Sequence, residues 1–88
     1  MYEKEISLQL DKIFIKLAKK NKKQIEIIDN KISQILENPL RFKNLTGDMC
    51  GIKRVHIDKH FVLTFEVDVK NKIVRFLDYE HHDKIYEN

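Results

Sequence analysis

The spacing of apolar residues changes at Pro39, and this change limits the folds that the chain can adopt. Before Pro39, apolar residues recur every three or four positions over 10–18 and again over 25–36, which predicts two amphipathic helices. Asn21 interrupts the pattern and can cap the second helix, with Gln24 in the capping-box position. The residue before a proline disfavours the helical conformation, so the second helix should end at Pro39.

Outside the helices, apolar and polar residues alternate, as they do in strands with one buried face. Four such segments are predicted, at residues 2–8, 52–57, 60–68 and 72–80. The last three have short connections, which predicts an antiparallel meander, and the first strand needs the same sheet for its stability. We therefore expect a single α+β domain over residues 1–88, in which an antiparallel two-helix hairpin covers one face of a four-stranded sheet.

The composition favours a cytoplasmic protein. The chain has 88 residues, a net charge of +3 and one cysteine, Cys50, which cannot form an intrachain disulfide. We find no signal peptide, and no apolar run approaches the roughly 18 residues that indicate a membrane span. Lysines concentrate over residues 16–23. This run fits either a phosphate-facing patch or a solvated corner between two helices.

Alternation also predicts which side chains lie on the sheet face that the helices leave uncovered. These are Arg54, His56, His60, Arg75 and Tyr79. Cationic groups and aromatic rings suit a nucleic-acid strand, because the cations bind phosphates and the rings stack on bases. An ordinary hydrated sheet face would have a similar pattern, so the residues alone leave both interpretations open.

The histidines favour acid–base chemistry over metal binding. His56 and His60 would be roughly 13 Å apart along a straight strand, which is too far for one ion, and the chain has no HExxH or paired CxxC motif. Cys50 lies outside any nucleophile signature. Imidazole titrates near neutral pH, and RNA carries its own nucleophile in the 2′-hydroxyl. Histidines, lysines and an arginine could therefore cut RNA without a metal or cofactor.

The order of the motifs resembles the RelE/ParE toxin superfamily, and within it the YafQ-like branch, over essentially the whole chain. The segments that carry the resemblance are "GIKRVHIDKHFVLTFEV" and "LDYEHHDKIY". The resemblance implies a toxin of a type II toxin–antitoxin pair that cuts messenger RNA in the ribosomal A site by attack of the 2′-hydroxyl on the adjacent phosphate. It also implies a RelB-like antitoxin that wraps the toxin, with operator DNA contacted only through that antitoxin.

The resemblance assigns roles to individual residues. His82 falls at the position of a general acid, and Tyr86 at that of an aromatic residue that holds the nucleotide. His56 would activate the nucleophile or support the phosphate, and Lys43 lies where the branch has a further active-site histidine. The complete set of predicted catalytic residues is His82, His56, Lys43 and His60. The predicted substrate-binding residues are Arg54, Lys53, Tyr86 and Arg75.

Three positions depart from the family pattern. His60 replaces an aspartate and Phe61 a tryptophan of the YafQ-like branch, and Glu80 lies near the place of a catalytic arginine in RelE-type members. Two alternatives therefore stay open. One is a ParE-like toxin that inhibits DNA gyrase, although the four histidines argue against it, and the other is a catalytically weak homologue that binds RNA or ribosomes.

Overall fold

The computed structural model describes residues 1–44 and 51–81, and it has the predicted α+β architecture. The elements in chain order are β1 (Glu3–Ile6), α1 (Leu8–Lys20), α2 (Lys22–Glu37), a 3-10 turn (Pro39–Arg41), β2 (Ile52–Ile57), β3 (Phe61–Asp68) and β4 (Ile73–His81). One sheet contains all four strands in the order β1-β4-β3-β2. The last three strands form the predicted antiparallel meander, and β1 joins it parallel to β4.

Asn21 is the single residue between the two helices, and it caps both of them. Its N–H donates to the Leu17 carbonyl at 2.7 Å, and its side-chain oxygen accepts from the Gln24 N–H at 3.1 Å. The predicted cap is therefore confirmed, and α2 ends at Glu37, shortly before Pro39. Within residues 1–44 and 51–81, no helix is long and apolar enough to cross a membrane.

The core lies between the helices and one face of the sheet. Both helices place an apolar stripe on that face, as their 3.6-residue period predicts. The fully or almost fully buried residues of this core are Leu10, Ile28, Ile32, Ile35, Ile57, Leu63, Phe65, Val74, Phe76 and Tyr79. The opposite face of the sheet, which we call the open face, carries Arg54, Thr64 and Arg75.

A β-bulge in β4 alters the predicted distribution of side chains. Leu77 is an extra residue, because its neighbours Phe76 and Asp78 pair with adjacent residues of β3. The alternation slips by one position at the bulge, so Tyr79 points to the same face as Phe76. Tyr79 is 7% exposed and belongs to the core. Its predicted position on the open face is therefore wrong.

Buried surroundings fix both the hydrogen bonding and the ionisation of Tyr79. The Gln24 side-chain amide donates to the Tyr79 hydroxyl at 2.8 Å. The Tyr79 ring lies parallel to that of Phe61, with centroids 5.0 Å apart, and edge-on to that of Phe14 at 6.2 Å. The pKa of Tyr79 is raised, chiefly because burial disfavours the phenolate. This tyrosine is thus a neutral packing residue.

Side chains form hydrogen bonds with backbone groups at and beside the bulge. The Ser7 hydroxyl donates to the Leu77 carbonyl at 3.0 Å and also accepts from the Leu10 N–H at 3.1 Å, which caps α1. The Asp78 carboxylate accepts from the Tyr79 N–H at 2.8 Å. Ser7 therefore connects the start of α1 to the bulge, and its capping role ends β1 at Ile6, earlier than predicted.

We expect Ser7→Ala to lower the free energy of unfolding by about 2 kcal/mol, because the variant loses a helix cap and leaves the Leu77 carbonyl without its partner. Chemical denaturation measures this change. Ser33→Ala is the matched control, since Ser33 is exposed in the middle of α2 and its replacement should change stability by less than about 0.5 kcal/mol. Equal effects of the two variants would contradict the dual role of Ser7.

Candidate functional site

Strand β2 presents two of the predicted site residues on the open face. Arg54 pairs with Thr64 and His56 pairs with Val62, whereas the intervening Val55 faces the helices. His56 is exposed to solvent and Arg54 is half-buried. Alternation along an unbroken strand predicts this placement, and β2 contains no bulge.

A short extended segment, residues 42–44, runs along the outer edge of β2. Asn44 forms an isolated antiparallel bridge with Lys53. The Arg54 N–H donates to the Lys43 carbonyl at 3.1 Å, and the Arg54 guanidinium donates to the Asn44 carbonyl at 3.4 Å. This register places Lys43, which is exposed, opposite Arg54. The structure thus brings Lys43, Arg54 and His56 together at one edge of the sheet.

Lys53 belongs to the same edge but lies on the other face of the sheet. It pairs with Phe65, a residue of the core, and its side chain therefore leaves β2 on the helix side. The Lys53 ammonium donates to the Phe42 carbonyl at 3.0 Å and to the Asn44 side-chain oxygen at 3.1 Å. Both of these hydrogen bonds connect Lys53 to the 42–44 segment.

His60 lies at one end of the sheet, in the turn between β2 and β3. There it contacts His81, which is not among the predicted site residues. Its ring lies parallel to that of His81, with centroids 6.0 Å apart. His81 also contacts the Phe61 ring edge-on at 5.6 Å. Both histidines are exposed. The pairing of Phe61 with His81 across β3 and β4 creates this contact, and only the strand register could have predicted it.

Arg75 lies on the open face, as predicted, but among carboxylates. Its guanidinium is 3.0 Å from Glu5, 3.4 Å from Asp68 and 3.9 Å from Glu66. The pKa of Arg75 is raised, chiefly by the hydrogen bond with Glu5, and the pKa of Asp68 is lowered, chiefly by hydrogen bonds from Asn71. Strands β4 and β2 are not neighbours, because β3 lies between them. Arg75 therefore does not belong to the group formed by Lys43, Arg54 and His56.

The open face is therefore divided by charge. The β2 edge is basic, whereas the strand pairing places six carboxylates on the remainder of the face, those of Glu3, Glu5, Glu66, Asp68, Asp78 and Glu80. A phosphate group is attracted to the first region and repelled by the second. The arrangement favours a nucleic-acid strand that follows the β2 edge over one that crosses the centre of the sheet.

Two predicted residues, His82 and Tyr86, lie outside the described residues, as does Cys50. His82 directly follows the end of β4 in the chain. Among residues 1–44 and 51–81, no three His, Cys, Asp or Glu side chains are close enough to share a metal ion.

Two proteins from archaea are similar to this chain over nearly its whole length, while no protein-family model matches it. An uncharacterized protein of Methanosarcina mazei is 59% identical over 86 residues, which is 98% of this chain and 100% of that protein. A protein of Methanocaldococcus jannaschii named "Putative toxin RelE4" is 52% identical over 87 residues, which is 99% of this chain and 93% of that protein.

Solved structures share the fold at lower identity. A YoeB/ParE toxin from Agrobacterium tumefaciens superposes with a TM-score of 0.78 at 16% identity, over 91% of this chain and 98% of its own. YafQ from E. coli has a TM-score of 0.72 at 21% identity, over 98% and 99% of the two chains. A chain of the E. coli DinJ–YafQ toxin–antitoxin complex has a TM-score of 0.73 at 22% identity, over 97% of each chain.

Proposed function

Because the chain belongs to the RelE/YafQ-like toxin superfamily, we propose that it is the toxin of a toxin–antitoxin pair and that it cuts messenger RNA on the ribosome. One observation carries the proposed activity: Lys43, Arg54 and His56 converge at the β2 edge, and the carboxylates lie elsewhere on the open face. Cations there bind the phosphate, and the imidazole beside them serves as a general base or a general acid.

The proposed reaction needs no water, metal or cofactor. A base removes the proton of the RNA 2′-hydroxyl, and the 2′-oxygen forms a bond to the adjacent phosphorus. The bond from phosphorus to the 5′-oxygen breaks, and an acid protonates that oxygen. The products are a 2′,3′-cyclic phosphate and a 5′-hydroxyl. Positioned acids and bases of this kind accelerate such steps about 10²- to 10⁴-fold.

We assign roles to the site residues as follows. His56 activates the 2′-hydroxyl or supports the phosphate, and the charges of Lys43 and Arg54 stabilise the pentavalent transition state. His82 is the general acid, and Tyr86 stacks on the nucleotide. His60, next to His81 at the end of β4, lies at the margin of this site.

The proposed partner is a RelB-like antitoxin, in keeping with the toxin–antitoxin complex that shares the fold. Helix α1 exposes Leu8 and Ile15, which are 83% and 53% accessible, and its last turn carries Lys19 and Lys20. An acidic, amphipathic antitoxin segment would complement this combination of apolar and basic groups. Operator DNA would be contacted only through the antitoxin.

Primer extension on a messenger RNA tests the activity. The protein is added to a translation reaction with the messenger, and in parallel to the same RNA without ribosomes. We expect cuts only when ribosomes are present, with 5′-hydroxyl ends on the downstream fragments. Expression of the protein in cells tests the gyrase-directed alternative. Growth arrest with intact messenger RNA and inhibited DNA supercoiling would establish it. Ribosome binding without cuts would establish the catalytically weak one.

A further inference from the structure

We propose that Lys53 is a positioning residue: its ammonium holds the 42–44 segment against β2 and thereby places Lys43 beside Arg54. The inference rests on the proposed function, because it concerns how a residue of that site is held. It assigns Lys53 a target within the protein, whereas the sequence predicts that it binds substrate.

The direction of the Lys53 side chain is the first reason. Along β2, Arg54 and His56 point to the open face, and Lys53 points to the helix side together with Val55. Its ammonium has three donors, and two of them are engaged by the Phe42 carbonyl at 3.0 Å and the Asn44 side-chain oxygen at 3.1 Å. The Lys53 ammonium therefore supports the 42–44 segment from the helix side of the sheet, and it does not face RNA bound to the open face.

The position of those two acceptors is the second reason. Phe42 and Asn44 are the residues on either side of Lys43, so Lys53 holds both of its neighbours. Lys43 itself contributes its carbonyl to the Arg54 N–H at 3.1 Å. The backbone of Lys43 is therefore fixed on both sides, while its side chain stays exposed next to Arg54.

The core provides an independent anchor for the same segment. The Phe42 ring meets the buried Phe65 ring edge-on, with centroids 6.0 Å apart, and the Arg41 guanidinium lies 5.0 Å from the Phe42 ring centroid. Phe65 is also the residue that pairs with Lys53. The ring of Phe42 thus fixes where the segment starts, and the ammonium of Lys53 fixes how closely the segment follows β2.

A double-mutant cycle of ribosome-dependent cleavage tests this role, with Lys43→Ala, Lys53→Met and the combined variant. We expect Lys53→Met alone to slow cleavage about tenfold or more, because misplacing a catalytic group by 1 Å is costly. In the Lys43→Ala background the same change should have less than about a twofold effect, since the residue that Lys53 places is already gone. Fully additive effects would overturn the proposal and indicate that Lys53 contacts the substrate.

Amide hydrogen exchange tests the same contact without any activity. The Arg54 N–H donates to the Lys43 carbonyl, so its exchange reports whether the segment is docked. We expect Lys53→Met to speed this exchange about tenfold and to leave the Val74 amide in the core unchanged. Lys70→Met, in the exposed turn between β3 and β4, is the matched control and should alter neither amide.

The two measurements separate the positioning role from the proposed function. If the wild-type protein does not cut RNA but Lys53→Met releases the Arg54 amide, the structural role stands and the proposed function fails. If the Arg54 amide exchanges equally slowly in both proteins, the positioning role fails whatever the activity.

Discussion

Replacing Tyr79 by alanine should lower the free energy of unfolding by about 4 kcal/mol, because it removes a buried aromatic ring. The ring packs against Phe61 and Phe14, and its hydroxyl is the acceptor for Gln24. A small domain has roughly 5–15 kcal/mol of total stability, so the variant should be close to unfolding at 25 °C. Thermal and chemical denaturation measure the change.

Milder substitutions keep the test informative if the alanine variant does not fold. Tyr79→Phe retains the ring but leaves the largely buried Gln24 amide without its acceptor, and should cost about 1–2 kcal/mol. Tyr2→Phe, at the margin of the core, is the matched control and should be nearly neutral. A Tyr79→Ala protein of wild-type stability would mean that the ring lies on the open face, as simple alternation suggests.

The second large effect is expected at His82. We expect His82→Ala to reduce ribosome-dependent cleavage at least about 100-fold, because a general acid contributes roughly 10²- to 10⁴-fold. The free energy of unfolding of the variant is measured alongside, so that a loss of activity can be separated from a loss of folded protein. Primer extension under single-turnover conditions, together with chemical denaturation, measures both quantities.

The neighbouring histidine provides the comparison for that experiment. His81 stacks with His60 and borders Phe61, and we expect His81→Ala to reduce cleavage by less than about tenfold. Equal losses in the two variants would show that the assignment of the general acid to His82 is wrong. Full activity of His82→Ala would remove His82 from the mechanism.

The sequence predicts the order of helices and strands because its signals are local. Helical spacing, the Asn21 cap and Pro39 each act within a few residues, and the structure confirms all three. The Leu77 bulge is different, because it depends on how β4 pairs with β3 and on the Ser7 hydroxyl, 70 residues away in the chain. Alternation assumes an unbroken strand, and it therefore misplaced Tyr79.

Sequence alternation predicts those residues of the candidate site that lie on regular strands. The alternation of β2 predicts that Arg54 and His56 lie on the open face. Lys43 could be assigned to the site only by the family resemblance, because residues 42–44 have no periodic pattern. Arg75 follows the alternation as well, yet its ion pair with Glu5 requires the β1–β4 pairing. Which cationic side chains lie close together depends on the pairing of strands that are far apart in the chain, and a single sequence does not show that pairing.

The bulge in β4 also constrains how this strand can vary. Before the bulge the core residues of β4 are at even-numbered positions, Val74 and Phe76, and after it the core residue is at an odd-numbered one, Tyr79. Deleting Leu77 would restore a regular strand and would leave Phe76 and Asp78 opposite the β3 residues that they already pair with, Phe65 and Thr64, so no later described residue would move along the sheet. Loss of a paired residue of β4 would be different, because a slip of one position turns every later side chain to the opposite face of the sheet.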